Sequence, residues 1–159
     1  MAYEFYVTIE AAKQGRLAGE IPRSVHKGKL AGIGFSYEVT SPRVAGSGAG
    51  TGGREHGAVT FTKEWGAASP QLFRALVTNE VIESALFEFV RRNDVGVDYV
   101  FHTIKLTDAC VTAIHQYVAA QEDAELDDAE LEDVALTFRG IEVENIDGRT
   151  AASDSVGSR

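Results

Sequence analysis

The first residues of the chain alternate between two kinds of side chain. Residues 3, 5, 7 and 9 are apolar, and the residues between them are mostly polar. This period of two is typical of a β-strand with one buried face. Residues 30–40 repeat the alternation and predict a second strand. Its apolar face consists of Ile33, Phe35, Tyr37 and Val39.

The segment after Gly57 predicts a third strand and then a short helix. Val59, Phe61 and Lys63 share one face of the strand. Ser69 is a suitable cap and Pro70 suits the first helical position, so we expect the helix to begin here. The apolar face of the helix is predicted to contain Leu72, Phe73, Leu76 and Val77.

Further strands are predicted in the second half of the chain. They cover residues 83–92, 97–106 and 110–118, and a last one begins at Val134 and extends through Val143. Many short strands with a single helix indicate a mainly β fold. The expected architecture is an antiparallel barrel or sandwich with the helix packed outside.

The length of 159 residues fits one domain with a single core. We expect this domain to cover residues 1–147. Residues 148–159 contain almost no apolar side chain that could be buried. They are therefore expected to form a disordered C-terminal tail.

The formal net charge of −9 restricts the possible partners. Nucleic acids and anionic membranes bind basic surfaces, so neither is expected as a partner. No run of about 18 apolar residues predicts insertion into a membrane. Any self-association has to use apolar, backbone-mediated or locally complementary contacts, because like charges repel.

Cys110 is the only cysteine of the chain. An internal disulfide is therefore impossible, which favours folding in a reducing cytoplasm with Cys110 as a buried thiol. The N-terminal residues lack a basic segment followed by an apolar one. No signal peptide is expected from this pattern.

Residues 46–53 contain five glycines, and Gly48, Gly50 and Gly53 match the spacing G-x-G-x-x-G. A dinucleotide site needs a helix directly after such a loop, because the helix N-terminus receives the pyrophosphate. The residues after Gly57 alternate as a strand instead, and no Gly-Lys-Ser/Thr sequence closes the run. Nucleotide binding is therefore not expected.

The sequence contains no recognisable reaction centre. The four histidines are scattered without metal-ligand spacing, although His102 and His115 could face each other on paired strands. No nucleophile-elbow motif is present. The acidic run 122–133 lacks the pattern of a calcium loop and is interpreted as a solvated loop. We expect no catalytic residue, no bound metal and no cofactor.

Four segments carry a family resemblance: HKGKLAGIGFSYEVTSPR, AVTFTKEWGAASPQLFRALVTNEVIESALFEFVRR, YVFHTIKLTDACV and LTFRGIEVEN. In this order they resemble the Hcp family, the tube proteins of bacterial type VI secretion systems. The resemblance extends from about Tyr3 to Asp147.

The resemblance implies a barrel of two antiparallel sheets with one short flanking helix, assembled into hexameric rings that stack into a hollow tube. The tube lies inside a contractile sheath, carries a spike protein at its tip and can hold secreted effectors in its lumen. The family is not enzymatic. Its members are made in the cytoplasm and exported by the type VI machine to the extracellular space or a target cell without a signal peptide.

In the family, the loop after the second strand extends toward the adjacent ring, and residues 41–57 occupy that place here. Glycine suits such a loop because it adopts positive φ at little steric cost. Many relatives have a Gly-Lys-Arg-x-His pattern where this chain has Gly-Gly-Arg-Glu-His at residues 52–56. The predicted ring-stacking residues are Arg43, Val44, Ser47, Arg54, Glu55 and His56.

The resemblance also implies a position for the polar face of the second strand. The residue that corresponds to Ser36 lines the inside of the ring in relatives. Glu38 lies on the same strand face as Ser36. Both side chains are therefore expected to face the lumen and contact cargo.

Two other classes of function remain open. The first is a monomeric β-barrel that binds a small ligand in its interior, although bulky inward side chains leave little cavity in a small barrel. These side chains are Phe35, Phe61, Phe87 and Phe89. The second is an enzyme of unknown type, for which the sequence shows no set of catalytic residues.

Overall fold

The computed structural model describes residues 5–21, 26–43, 45–46, 48, 53–118 and 130–156. Within these residues the chain forms twelve strands and one helix. In chain order they are β1 (Phe5–Ala11), β2 (Gly15–Arg16), β3 (Leu30–Gly32), β4 (Gly34–Ser36), β5 (Val39–Thr40), β6 (Glu55–His56), β7 (Val59–Glu64), α1 (Ser69–Val77), β8 (Ile82–Arg92), β9 (Asp98–Val118), β10 (Glu130–Thr137), β11 (Gly140–Asn145) and β12 (Thr150–Ser155). The predicted mainly β class with one short helix is confirmed.

All strand pairs are antiparallel. The main sheet has the order β2-β1-β8-β9-β10-β7-β4, with β3 beside β1 and with β11 and β12 beside β9. Residues 30–36 reach both ends of this strand order: β3 pairs with β1 near one end, and β4 pairs with β7 at the other. The pairing is nevertheless an open path, so the expected barrel is not closed by a continuous ladder.

β9 is the longest strand, with 21 residues. The sequence pattern predicts two separate strands over 97–106 and 110–118, and this division is wrong. The backbone continues through Asp108, which has a φ of 47°. Aspartate tolerates this left-handed conformation better than most residues, so the strand changes direction without ending. The half before Asp108 pairs with β8 and β11, and the half after it pairs with β10.

The C-terminal segment forms a strand. Residues Thr150–Ser155 pair with β11 over their whole length. The expectation of a disordered tail is therefore wrong for residues 148–156, and 157–159 lie outside the described residues. β12 needs no apolar face because its pairing uses backbone groups, which every residue here supplies.

Aromatic rings fill the interior of the fold. Phe61 and Phe87 are fully buried, and their ring centres lie 5.5 Å apart in an edge-to-face arrangement. Phe87 also packs edge-to-face against Phe35 at 5.2 Å, and Phe35 against Phe89 at 5.1 Å. Each such pair contributes about 0.5–1.5 kcal/mol beyond the burial of its area. The inward phenylalanines predicted from the alternation thus pack against one another.

Helix α1 packs on the sheet with a narrower apolar face than the sequence predicts. The buried residues of the helix are Ser69, Leu72 and Ala75, and Ala68 at its N-cap is buried with them. Phe73 is 60% exposed and Val77 is 56% exposed, so their assignment to the packed face is wrong. These two side chains lie one turn apart and form an exposed apolar pair on the helix.

Candidate functional site

The base of the glycine-rich loop is a two-stranded ladder separate from the main sheet. The strands pair at two positions, Val39 with His56 and Thr40 with Glu55. A further hydrogen bond runs from the Gly57 amide to the Glu38 carbonyl oxygen at 2.8 Å. We call this ladder the β5–β6 hairpin. A hairpin of this length is at best marginally stable alone, so its position depends on contacts with the rest of the protein.

Asp154 on β12 supplies such contacts. The Arg54 guanidinium donates two hydrogen bonds to its carboxylate, from Nε to Oδ2 at 2.5 Å and from Nη2 to Oδ1 at 2.6 Å. Arg54 also donates to the Ser155 carbonyl oxygen at 3.3 Å. His56 Nε2 lies 2.8 Å from Asp154 Oδ2. One carboxylate therefore binds two residues of the segment that includes β6.

Hydrogen bonding keeps the Asp154 carboxylate ionised. The bonds from Arg54 and His56 hold the pKa of Asp154 far below its ordinary value, so Asp154 is ionised at neutral pH. A carboxylate only accepts hydrogen bonds, so His56 Nε2 carries the hydrogen that it shares with Asp154. In the neutral imidazole, Nδ1 then accepts from the Tyr37 hydroxyl at 2.5 Å. The bonds form a chain from Tyr37 through His56 to Asp154.

Aromatic rings pack against the same histidine. The Tyr37 ring is nearly parallel to that of His56, at 16° with a centre distance of 6.1 Å, and the two rings meet end to end through their hydrogen bond. The Phe138 ring meets His56 edge-on at 5.6 Å. The His56 side chain is only 6% exposed, whereas that of Arg54 is 52% exposed. The hairpin is thus held by apolar contacts beneath His56 and by ionic contacts at the surface.

The structure separates the predicted ring-stacking residues into two groups. Arg43 and Glu55 are exposed. Arg54 and His56 are brought together by Asp154 of the same chain. The two remaining residues, Val44 and Ser47, lie outside the described residues. Arg54 therefore has its charge paired within the protomer, which the loop pattern alone does not indicate.

The two predicted lumen residues are both exposed. Ser36 ends β4 and lies opposite Thr60 of β7. Glu38 lies between β4 and β5, and its carbonyl oxygen accepts the bond from Gly57. Between them, Tyr37 points to the opposite side and packs against the core. The alternation holds from Phe35 to Glu38, but the single strand predicted over residues 30–40 is wrong, because the segment forms β3, β4 and β5 and Val39 is 49% exposed. The contact of Ser36 and Glu38 with cargo stays a prediction.

A second polar cluster lies inside the fold. Lys63 and Glu132 are fully buried, are direct partners across β7 and β10, and form an ion pair at 2.8 Å. Lys63 Nζ also lies 3.0 Å from a carboxylate oxygen of Glu20 and donates to the Glu64 carbonyl oxygen at 2.8 Å. The same alternation that buries Phe61 places this ammonium group in the interior.

The carboxylate of Glu132 is satisfied by three side chains. Besides Lys63, the Ser69 hydroxyl donates to Oε1 at 2.7 Å and Gln116 Nε2 donates to Oε2 at 2.9 Å. Burial alone would raise the pKa of Glu132, but these hydrogen bonds outweigh it and hold the pKa below its ordinary value. At Glu20 burial dominates and raises the pKa, because the attraction to Lys63 offsets it only in part. The assignment of Ser69 as the helix cap is therefore wrong: Ala68 occupies the cap position, and the Ser69 hydroxyl donates to Glu132.

A cleft of about 450 Å³ opens beside this cluster and is lined by Glu20, Glu64 and Trp65 together with smaller residues. Trp65 is 44% exposed, and its indole N–H donates to the Leu131 carbonyl oxygen at 2.7 Å. Both oxygens of Glu20 lie within hydrogen-bond distance of Lys63. The cleft therefore presents an indole ring beside carboxylates.

Other candidate groups are dispersed. His102 and His115 lie on the same strand, β9, opposite Asn145 and Asp133, so the arrangement in which they face each other is wrong. In the part of the chain that the structure describes, no three His, Cys, Asp or Glu side chains are placed to hold a metal ion. Cys110 is only half-buried. Within those same residues, no helix has the length and apolar character needed to cross a bilayer.

Comparison with known proteins assigns the family. Residues 6–144 match the sequence model of the family described as "Type VI secretion system effector, Hcp". The chain belongs to the Hcp family. Among its relatives, the "Major exported protein" of Pseudomonas aeruginosa is 30% identical over 164 aligned residues, which cover 97% of this chain and 95% of that protein. The resemblance identified from the four sequence segments is therefore confirmed.

Solved Hcp structures share the fold. One crystal structure of an Hcp protein superposes with a TM-score of 0.91 at 26% identity, covering 99% of this chain and 100% of the other. The secreted protein Hcp3 from Pseudomonas aeruginosa superposes with a TM-score of 0.79 at 28% identity, with coverage of 99% and 100%. The likeness therefore extends over the whole domain, including the C-terminal strand.

Proposed function

We propose that this Hcp chain is the repeating unit of a type VI secretion tube. Six copies close into a ring, and the rings stack into a hollow tube that a contractile sheath surrounds and expels. A spike protein binds the tip of the tube, and secreted effectors bind in its lumen. The chain is made in the cytoplasm, leaves the cell through the machine and performs no catalysis.

The match to the Hcp family over residues 6–144 is the observation that carries this proposal. The surface of the protomer supports self-association. With a net charge of −9, protomers attract one another best through apolar or backbone contacts. Phe73 and Val77 form an exposed apolar pair. Among the strands of the described residues, β12 pairs with β11 alone, so a strand edge remains that another protomer could contact.

The aromatic interior does not favour the alternative of a monomeric ligand-binding barrel. Phe35, Phe61, Phe87 and Phe89 pack ring against ring at distances of 5.1–5.5 Å. A small molecule would have to displace these contacts to bind among them.

Molar mass in solution tests the proposed ring. Size-exclusion chromatography with light scattering is expected to give six times the chain mass of 17.1 kDa. Negative-stain electron microscopy of the same fraction should then show closed rings. A mass that remains monomeric at micromolar concentration would contradict the proposal and favour the alternative.

Two variants test the parts of the proposed tube. Deletion of residues 44–53 is expected to abolish stacking while the rings keep their mass, because a surface loop can be shortened without exposing the core.

Ser36→Gln is expected to leave stability within about 0.5 kcal/mol of the unmodified protein, but to reduce co-purification of an effector. Rings that break on deletion, or effector retention that is unchanged by Ser36→Gln, would refute the respective assignment.

A further inference from the structure

The β5–β6 hairpin has few backbone contacts of its own that could set its orientation. Its ladder contains two residue pairs and belongs to a sheet that does not join the main one. Loop residues precede β6, and Gly57 follows it. β5 follows β4 and β6 precedes β7 with only two residues between them in each case, so the main sheet fixes where the hairpin begins. Its side-chain contacts then help to fix the direction in which it extends.

Beside the aromatic contacts of His56, the charged hydrogen bonds of the hairpin segment converge on one residue from a remote part of the chain. Asp154 is separated from Arg54 by 100 residues and from His56 by 98. It lies on β12, which is held to β11 by six paired positions. A two-point bond between a guanidinium and a carboxylate fixes direction as well as distance, because both groups are planar. The hydrogen bond between His56 Nε2 and the Asp154 carboxylate adds a third contact, which is made by a residue of β6.

We propose that Asp154 is the positioning residue of the β5–β6 hairpin, so that the C-terminal strand β12 sets the orientation of β5 and β6. The proposal rests on the proposed function only where it concerns stacking. Arg54 then acts inside the protomer: its two-point bond joins the end of the loop to β12. The competing role of Arg54 is direct contact with the next ring. That role predicts that replacing Arg54 abolishes stacking and leaves hydrogen–deuterium exchange of the hairpin unchanged.

Asp154→Asn removes the charge and one acceptor while keeping the shape of the side chain. Hydrogen–deuterium exchange of peptides covering β5 and β6 reports the hairpin directly, with or without stacking. We expect exchange there to become faster by on the order of tenfold, with the main sheet unchanged. Asp98→Asn is the matched control, because Asp98 forms an exposed ion pair with Arg92 at 3.1 Å between β9 and β8, neither of which pairs with the hairpin. Unchanged exchange in Asp154→Asn would overturn the proposal.

Stacking is measured on the same proteins by sedimentation and electron microscopy. Asp154→Asn is expected to form rings of normal mass that stack less than those of the unmodified protein. Arg54→Gln separates the two roles of the arginine: positioning predicts faster exchange of the hairpin, whereas contact with the next ring predicts lost stacking with unchanged exchange. The second pattern would overturn the proposal. If the unmodified protein forms no stacks, the proposed tube function fails, and the exchange result still decides the role of Asp154.

Discussion

Two carboxylate-centred networks hold this protein together in different ways. Glu132 is fully buried and pairs with Lys63 between neighbouring strands of the main sheet. The side chain of Asp154 is 29% exposed, and it pairs with Arg54 at the base of a peripheral hairpin. Buried charges interact strongly but are costly when left unpaired, whereas exposed pairs are screened by water and salt. We therefore expect the first network to govern global stability and the second to govern the position of one element.

Lys63→Met is expected to have the largest effect in this comparison. It leaves Glu132 and Glu20 without their cation in the interior, so the free energy of unfolding should fall by about 3–5 kcal/mol. Urea unfolding measures the loss. Lys105→Met, at an exposed position of β9, is the control and should stay within about 0.5 kcal/mol. A loss for Lys63→Met as small as that of the control would show that the cluster is not essential to stability.

Glu132→Gln and Glu20→Gln test whether the two carboxylates of the cluster are equivalent. Glu132 accepts from Lys63, Ser69 and Gln116, so its replacement should cost about 1–3 kcal/mol. Glu20→Gln should cost less, because burial of the Glu20 carboxylate is only partly offset by Lys63. Urea unfolding at neutral pH gives both values. The reverse order would mean that burial does not distinguish the two groups.

The pH dependence of these two variants should differ in sign. The lowered pKa of Glu132 stabilises the fold above the unfolded value of about 4.3, and this contribution is lost as the pH falls through the folded pKa. The difference between the unmodified protein and Glu132→Gln should therefore shrink on acidification below about pH 4.3. Glu20 has a raised pKa, so the unmodified protein should gain stability relative to Glu20→Gln as the pH falls toward 4.3. Parallel shifts in the two urea series would contradict these assignments.

Asp154→Asn is expected to have the smallest effect on global unfolding. Its network lies at the surface and the core beneath remains intact. The midpoint of urea unfolding should change less than in Lys63→Met or Glu132→Gln, even though exchange in the hairpin becomes faster. A decrease in midpoint as large as that of Lys63→Met would mean that β12 stabilises the whole fold, and the contrast between the two networks would disappear.

Local patterns predict much of the fold because strand alternation reports burial directly. The alternation at residues 59–64 correctly places Lys63 on the same face as Phe61. That shared face was the available signal for a buried charge, but the partner Glu132 falls within an acidic run interpreted as a solvated loop. Pairing across β7 and β10 removes Glu132 from water. Such a pairing joins residues far apart in the chain, so no local pattern contains it.

The candidate site shows the same limit more strongly. The glycine-rich loop and its flanking residues Arg54 and His56 are recognisable from sequence segments that resemble the Hcp family. Asp154 is not, because the sequence TAASDS has no apolar alternation and resembles a polar tail. Its strand forms only because the backbone of β11 is available beside it.

Local periodicity and ordered sequence segments are enough to predict the β-rich class, one short helix, the inward phenylalanines and membership of the Hcp family. The pairing of charges depends on the fold: Lys63 pairs with Glu132 in the interior, and Arg54 pairs with Asp154 at the hairpin. Hydrogen bonds and ion pairs act over about 3 Å. Only the folded chain brings residues separated by 69 or 100 positions within that distance.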